Sequence, residues 1–228
     1  MTKLYVKDIV LSYDKVKPII SNLSFEAKQG ECILIEGRNG IGKTTLLKAI
    51  GGLLKPISGT ITVNDVNIYN IPITQRRFLV SYSQQSPSYS TPIKLIEFLE
   101  MALTSKGYLL GWRRIKRFIR LLEIEELLLE PINTLSEGQK KLALLARTFI
   151  QDSNIILLDE PEAFLDTYNQ KLLINAIKEL LQEDKIVLFV SHNIHFSNQI
   201  LTKRIKILSP TVFNISQGKD HVEFITQK

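Results

Sequence analysis

The stretch that most narrows the possible folds is Gly37-Arg-Asn-Gly-Ile-Gly-Lys-Thr-Thr45, set between the apolar run ILIE and the helix-like TTLLKAI. It fits G-x-x-x-x-G-K-[ST] in the strand, turn and helix context that the pattern requires. Gly37, Gly40 and Gly42 allow the backbone to curl, so that successive N–H groups across Arg38, Asn39 and Ile41 point inward at the positive end of the following helix. Lys43 is placed to bridge the β- and γ-phosphates of a nucleotide, Thr44 to give an oxygen to Mg²⁺, and Thr45 to open the helix.

A second apolar run, Ile155-Ile-Leu-Leu-Asp159-Glu160, ends in two carboxylates. A buried strand would hold them at its C-terminal edge, where ligands bind in open α/β sheets. Alone, such a pair could be a strand-end turn; beside the phosphate loop, Asp159 reads as a Mg²⁺ ligand and Glu160 as a general base for water. Further strands are expected at 3–12, 19–27, 32–36, 60–64 and 186–190, and in the tail segments RIKIL, VFNIS and HVEFIT. Helices are expected at 137–151 and 167–182, and a helical block at 93–129. The fold class is therefore α/β, a phosphate-loop NTPase core with a mainly parallel sheet, an N-terminal antiparallel β part and an inserted helical subdomain at about 88–150. No repeat or linker divides the chain, so residues 1–228 are read as one domain.

A chain of 228 residues can bury a sizeable core without staples. Its single cysteine, Cys32, lies in the apolar ECILIEG, which excludes an intrachain disulfide and suits a reducing compartment. No run reaches the roughly 18 apolar residues of a spanning helix, so membrane contact would come through a partner. The net charge of +6 favours anionic partners without choosing among them. In GWRRIKRFIRLLEI, Ile115, Phe118, Ile119 and Leu122 share one helix face, leaving the arginines mostly on the opposite, wet face, as a solvated surface or a docking surface.

The order of the phosphate loop, Leu135-Ser-Glu-Gly-Gln139, IILLDE and Ser191-His192 resembles the nucleotide-binding domain of the ATP-binding cassette (ABC) family, over roughly residues 3–208. Ser136 and Gln139 also form a capping box, with Leu142, Leu145, Ala146 and Phe149 as the buried stripe of the helix they start. By resemblance, Ser136, Gly138 and Gln139 contact the ATP bound by a second subunit. Tyr13 stacks on adenine, unless it is a strand-end aromatic of the core. The loop glutamine contacting Mg²⁺ and water is Gln84 or Gln85, in a segment that would equally suit a plain turn. His192 bonds the γ-phosphate, and Asp166 sits in a loop crossing the dimer interface. His195 and His221 read as surface or packing residues.

Three departures stand out: Glu137 where the family mostly has glycine, Pro161-Glu-Ala-Phe164 where it has Pro-Thr-Ser-Ala, and Thr44-Thr45 for Ser-Thr. Threonine keeps the hydroxyl; Glu137 either slows hydrolysis or points outward. The resemblance implies an ATPase, with ATP and Mg²⁺, that pairs with a second copy or a homologous cassette and drives separate transmembrane permease subunits from the cytoplasmic face of the cell membrane. No nucleic acid partner is expected. The alternative is a soluble ABC ATPase serving an assembly or scaffold complex. The compact chain, without an extended C-terminal domain, leans towards export.

Overall fold

The structure is a computed structural model that describes residues 1–14, 16–84, 92–103, 108–218 and 223–225. In chain order come β1 (Lys3–Leu11), β2 (Ile20–Lys28), β3 (Cys32–Gly37), α1 (Lys43–Ile50), β4 (Ser58–Val63), β5 (Val66–Asn67), α2 (Ile73–Arg76) and β6 (Val80–Ser83). The helices α3 (Leu95–Glu100), α4 (Tyr108–Leu121) and α5 (Glu137–Ile150) follow. The chain continues through β7 (Ile155–Asp159), α6 (Thr167–Gln182), β8 (Ile186–Val190), α7 (Ile194–Ser197), β9 (Lys203–Ser209), β10 (Val212–Gln217) and β11 (Glu223–Ile225).

The strands form two sheets. One is antiparallel, in the order β2-β1-β4-β5; the other has seven strands in the order β11-β10-β9-β3-β8-β7-β6. Within the larger sheet β9, β3, β8, β7 and β6 run parallel, and β10 and β11 close it antiparallel. This is the expected α/β architecture. Strands β7 and β8 are buried at every residue, which is why they read as unbroken apolar runs rather than as alternating ones.

Side-chain alternation sorts these strands into two cores. Cys32, Leu34, Ile156, Leu158 and Phe189 face α3, α4, α5 and α6, whereas Ile33, Ile35, Leu157 and Leu188 face α1 and the antiparallel sheet. The helices between 95 and 150 thus share a core with one face of the sheet instead of enclosing their own. Among the described residues no strand occurs from 84 to 154 apart from an isolated bridge; the expected start of the insertion near 88 lies outside the described residues.

Helix α4 buries Ile115, Phe118, Ile119 and Leu122 as its periodicity predicts. Arg113 and Arg120 are exposed on the expected wet face, but Arg114 and Arg117 depart from it. Arg114 donates to the Phe149 carbonyl (2.9 Å) and to Glu183 (2.9 Å), and Arg117 pairs with Glu179 and Glu183, so both bind α4 to the end of α6 and Arg114 also binds it to α5. Sequence periodicity marks the apolar stripe but not its flanks, where a long side chain can reach a charged neighbour that lies far off in the chain.

Candidate nucleotide-binding site

The glycine loop sits between β3 and α1, at the C-terminal edge of the parallel sheet. Two of its glycines are required by close approach. A Cβ at Gly42 (φ 112°) would lie 2.6 Å from Ile19 Cγ2, and one at Gly37 would lie 2.6 Å from the Ile207 carbonyl oxygen. Arg38, Asn39 and Gly40 are exposed on the rim, and α1 carries no acidic residue of its own in its first turn, which suits an anion at its positive end. Lys43 curls back over the loop, and its Nζ donates to the carbonyls of Gly37 (2.9 Å) and Arg38 (3.1 Å). Burial lowers its pKa, against the pull of the Glu160 and Asp159 carboxylates.

Asp159 is buried at the end of β7, and both carboxylate oxygens are occupied. Oδ1 accepts from Thr44 Oγ1 at 3.2 Å and Oδ2 from the Tyr82 hydroxyl at 3.2 Å. No local sequence pattern marks Tyr82, which lies on β6. Burial first, then Asp159, raises the pKa of its phenol, so it stays a donor. Glu160 adopts a left-handed backbone (φ 46°), a strained conformation that clusters at functional sites. Its N–H donates to the Val190 carbonyl at 3.0 Å, and its Oε1 lies 3.9 Å from His192 Nε2. Hence Thr44, Asp159, Glu160 and His192 meet above the ends of β3, β7 and β8.

The remaining candidates are placed as follows. Tyr13 is 62% exposed, which rules out the core-packing alternative; its hydroxyl lies 3.2 Å from Thr45 Oγ1, and it lines a cleft of about 360 Å³ with Gly40 and Ile41. Gln84 is exposed directly after β6, while Gln85 lies outside the described residues. Ser136 caps α5: its hydroxyl accepts from the Gln139 N–H (3.3 Å) and its N–H donates to Gln139 Oε1 (2.9 Å). Gly138 faces the carbonyl of Phe164, only 2.9 Å from where a Cβ would be. Glu137 points outward and pairs with Lys140 at 3.0 Å. Asp166 caps α6 through the Asn169 N–H at 2.8 Å. His195 is exposed, and His221 lies outside the described residues.

A protein-family model described as ABC transporter matches residues 20–163. The chain belongs to the ABC transporter family. As a member of that family it is an ATP-binding ATPase. It is 33% identical over 204 residues to a probable iron chelatin transport ATP-binding protein of Helicobacter pylori, covering 86% of this chain and 79% of the relative. It is 34% identical to a spermidine/putrescine import ATP-binding protein of Mycoplasma capricolum, covering 83% of this chain and 54% of that one. A solved ATP-binding subunit of an ABC transporter superposes with a TM-score of 0.84 at 24% identity, covering 91% of this chain and 86% of the other. At that identity the match shows the fold, which is the ABC cassette. Among the described residues of this ABC protein no helix is long and apolar enough to cross a membrane.

Proposed function

We propose that this cassette binds Mg²⁺-ATP on its phosphate loop, pairs with a second cassette around two nucleotides, and drives transmembrane subunits carried on separate chains. The observation that carries the reading is the 3.2 Å contact of Thr44 with Asp159, beside Glu160 and His192. A hydroxyl and a carboxylate are hard oxygen donors that suit Mg²⁺, which takes few protein ligands and completes its shell with phosphates and water. Thr44 and Asp159 would hold the ion, with Gln84 at its edge; when bound, it offsets charge on the β- and γ-phosphates. Lys43 exchanges its loop carbonyls for phosphate oxygens, and the loop N–H groups point at the same anion. Tyr13 stacks on the base from the wall of its cleft. Glu160 takes the proton of the attacking water, and His192 donates to the γ-phosphate.

Ser136, Gly138 and Gln139 complete the nucleotide site of the partner cassette, and the Asp166 loop lies along the same interface. The Ser136 hydroxyl is engaged in the cap, yet a helix N-terminus still offers unpaired N–H groups to an anion. Docking on permease subunits would place the cassette on the cytoplasmic face of the membrane. The names of the relatives lend no support to export, since one of them is an import protein. Glu160→Gln tests the core of the reading. ATP binding is retained, and hydrolysis falls roughly 100- to 10,000-fold; turnover at the unaltered rate would remove Glu160 from the chemistry.

A further inference from the structure

Two charged side chains deep in the protein have no part in these assignments. Lys141 is 3% exposed and Glu162 is 8% exposed, and such residues are rarely buried without a partner. Lys141 lies on α5, five residues after Ser136; Glu162 follows Glu160 by two. Glu162 is also one of the residues by which Pro161-Glu-Ala-Phe164 departs from the family pattern.

Lys141 Nζ donates to the carbonyl of Asp159 at 3.3 Å, and so holds the end of β7 at the residue whose side chain Thr44 and Tyr82 hold. Glu162 reaches towards β8. Its Oε1 accepts from the Ser191 hydroxyl, which itself accepts from the Asn193 N–H at 3.0 Å, so the backbone is fixed on both sides of His192. Glu162 Oε2 is buried and has no hydrogen-bond donor among the described residues. Of the carboxylates around the buried Lys141 ammonium, Glu162 acts on it more strongly than Asp159 or Glu160 does. A second contact joins the same parts, since Gly138 at the head of α5 packs on the Phe164 carbonyl. Burying two ions costs several kcal/mol each before their attraction is counted, so stability alone would be served as well by apolar residues.

We propose that Lys141 and Glu162 are positioning residues for ATP hydrolysis, a buried cation and carboxylate that tie helix α5 to the two strand ends carrying Asp159, Glu160 and His192. The inference rests on the assignment of Glu160 and His192 to hydrolysis. Through this pair, a displacement of α5 reaches the hydrolytic groups directly, without passing through the bound nucleotide.

The test is a double-mutant cycle on the full chain, with kcat and KM for ATP measured well below each variant's melting temperature. Lys141→Met and Glu162→Gln each lower kcat roughly tenfold or more, with KM held within about twofold, because the groups are displaced while the phosphate loop is untouched. The double variant loses no more than the worse single variant, since both changes break the same tie between α5 and the strand ends. Single variants with unchanged kcat and only a lower melting temperature would make the pair structural and overturn the proposal. So would losses that simply multiply in the double variant. If Lys141→Met does not fold, Glu162→Gln decides alone: it keeps the side-chain shape and the Ser191 bond, and unaltered kcat in it refutes positioning. Glu160→Gln, run alongside, shows separately whether the underlying assignment stands.

Discussion

The Glu137 carboxylate is the departure nearest to the proposed partner phosphate. It is an exposed group beside Lys140, at 3.0 Å, on the outside of α5, and exposed pairs of this kind are worth at most about 1 kcal/mol and are screened by salt. Glu137→Gly is therefore expected to leave ATP turnover within about threefold of the starting rate at physiological ionic strength. A tenfold rise, measured in a steady-state phosphate-release assay, would mean that the acid restrains hydrolysis. At this scale the sequence showed residues whose neighbours are close in the chain: Gly37 to Thr45, and the box formed by Ser136 and Gln139. It did not reveal Tyr82, whose partner Asp159 is 77 residues away, or Lys141, whose bond to Asp159 spans 18. A lysine in KKLALLAR looks like any solvated helix residue until the fold turns it inward.

The elements were legible where a local pattern decides them. Strands β3, β7 and β8 followed from short apolar runs, and α4 and α5 from apolar positions three and four apart. Strand β5, with two residues, and the one-turn helices α2 and α7 carry too little pattern to be read. The arginines of α4 belong to this scale, since their role comes from helix packing. Arg114 is 15% exposed at its side chain, bonds the Phe149 carbonyl and Glu183, and lies 5.0 Å from the Phe118 ring. Removing one member of such a partly buried pair leaves its partners unmatched, so Arg114→Ala is expected to cost about 2–3 kcal/mol. Arg120, 74% exposed and 3.5 Å from Glu125, is the control, and Arg120→Ala should cost under about 0.5 kcal/mol. Urea unfolding midpoints at constant slope measure both; equal costs would make the α4–α6 contact incidental.

The whole molecule is a sheet between two cores, with one edge gathering the phosphate loop, the paired carboxylates and His192. Its fold class could be read from the alternation of strands and helices, because βαβ order dictates a parallel sheet. What a single chain does not contain is the second cassette. The head of α5 is capped by its own residues and packs on its own Phe164 carbonyl, while the first-turn N–H groups that the capping box does not use can still meet an anion from outside. The central claim, that two cassettes share each nucleotide, belongs to this scale. Its most direct test is the oligomeric state, by analytical ultracentrifugation with saturating ATP, of Glu160→Gln and of Glu160→Gln combined with Ser136→Arg. The first is predicted to become dimeric, and the second to bind ATP with similar affinity and stay monomeric; a dimer of equal strength in both would contradict the shared site.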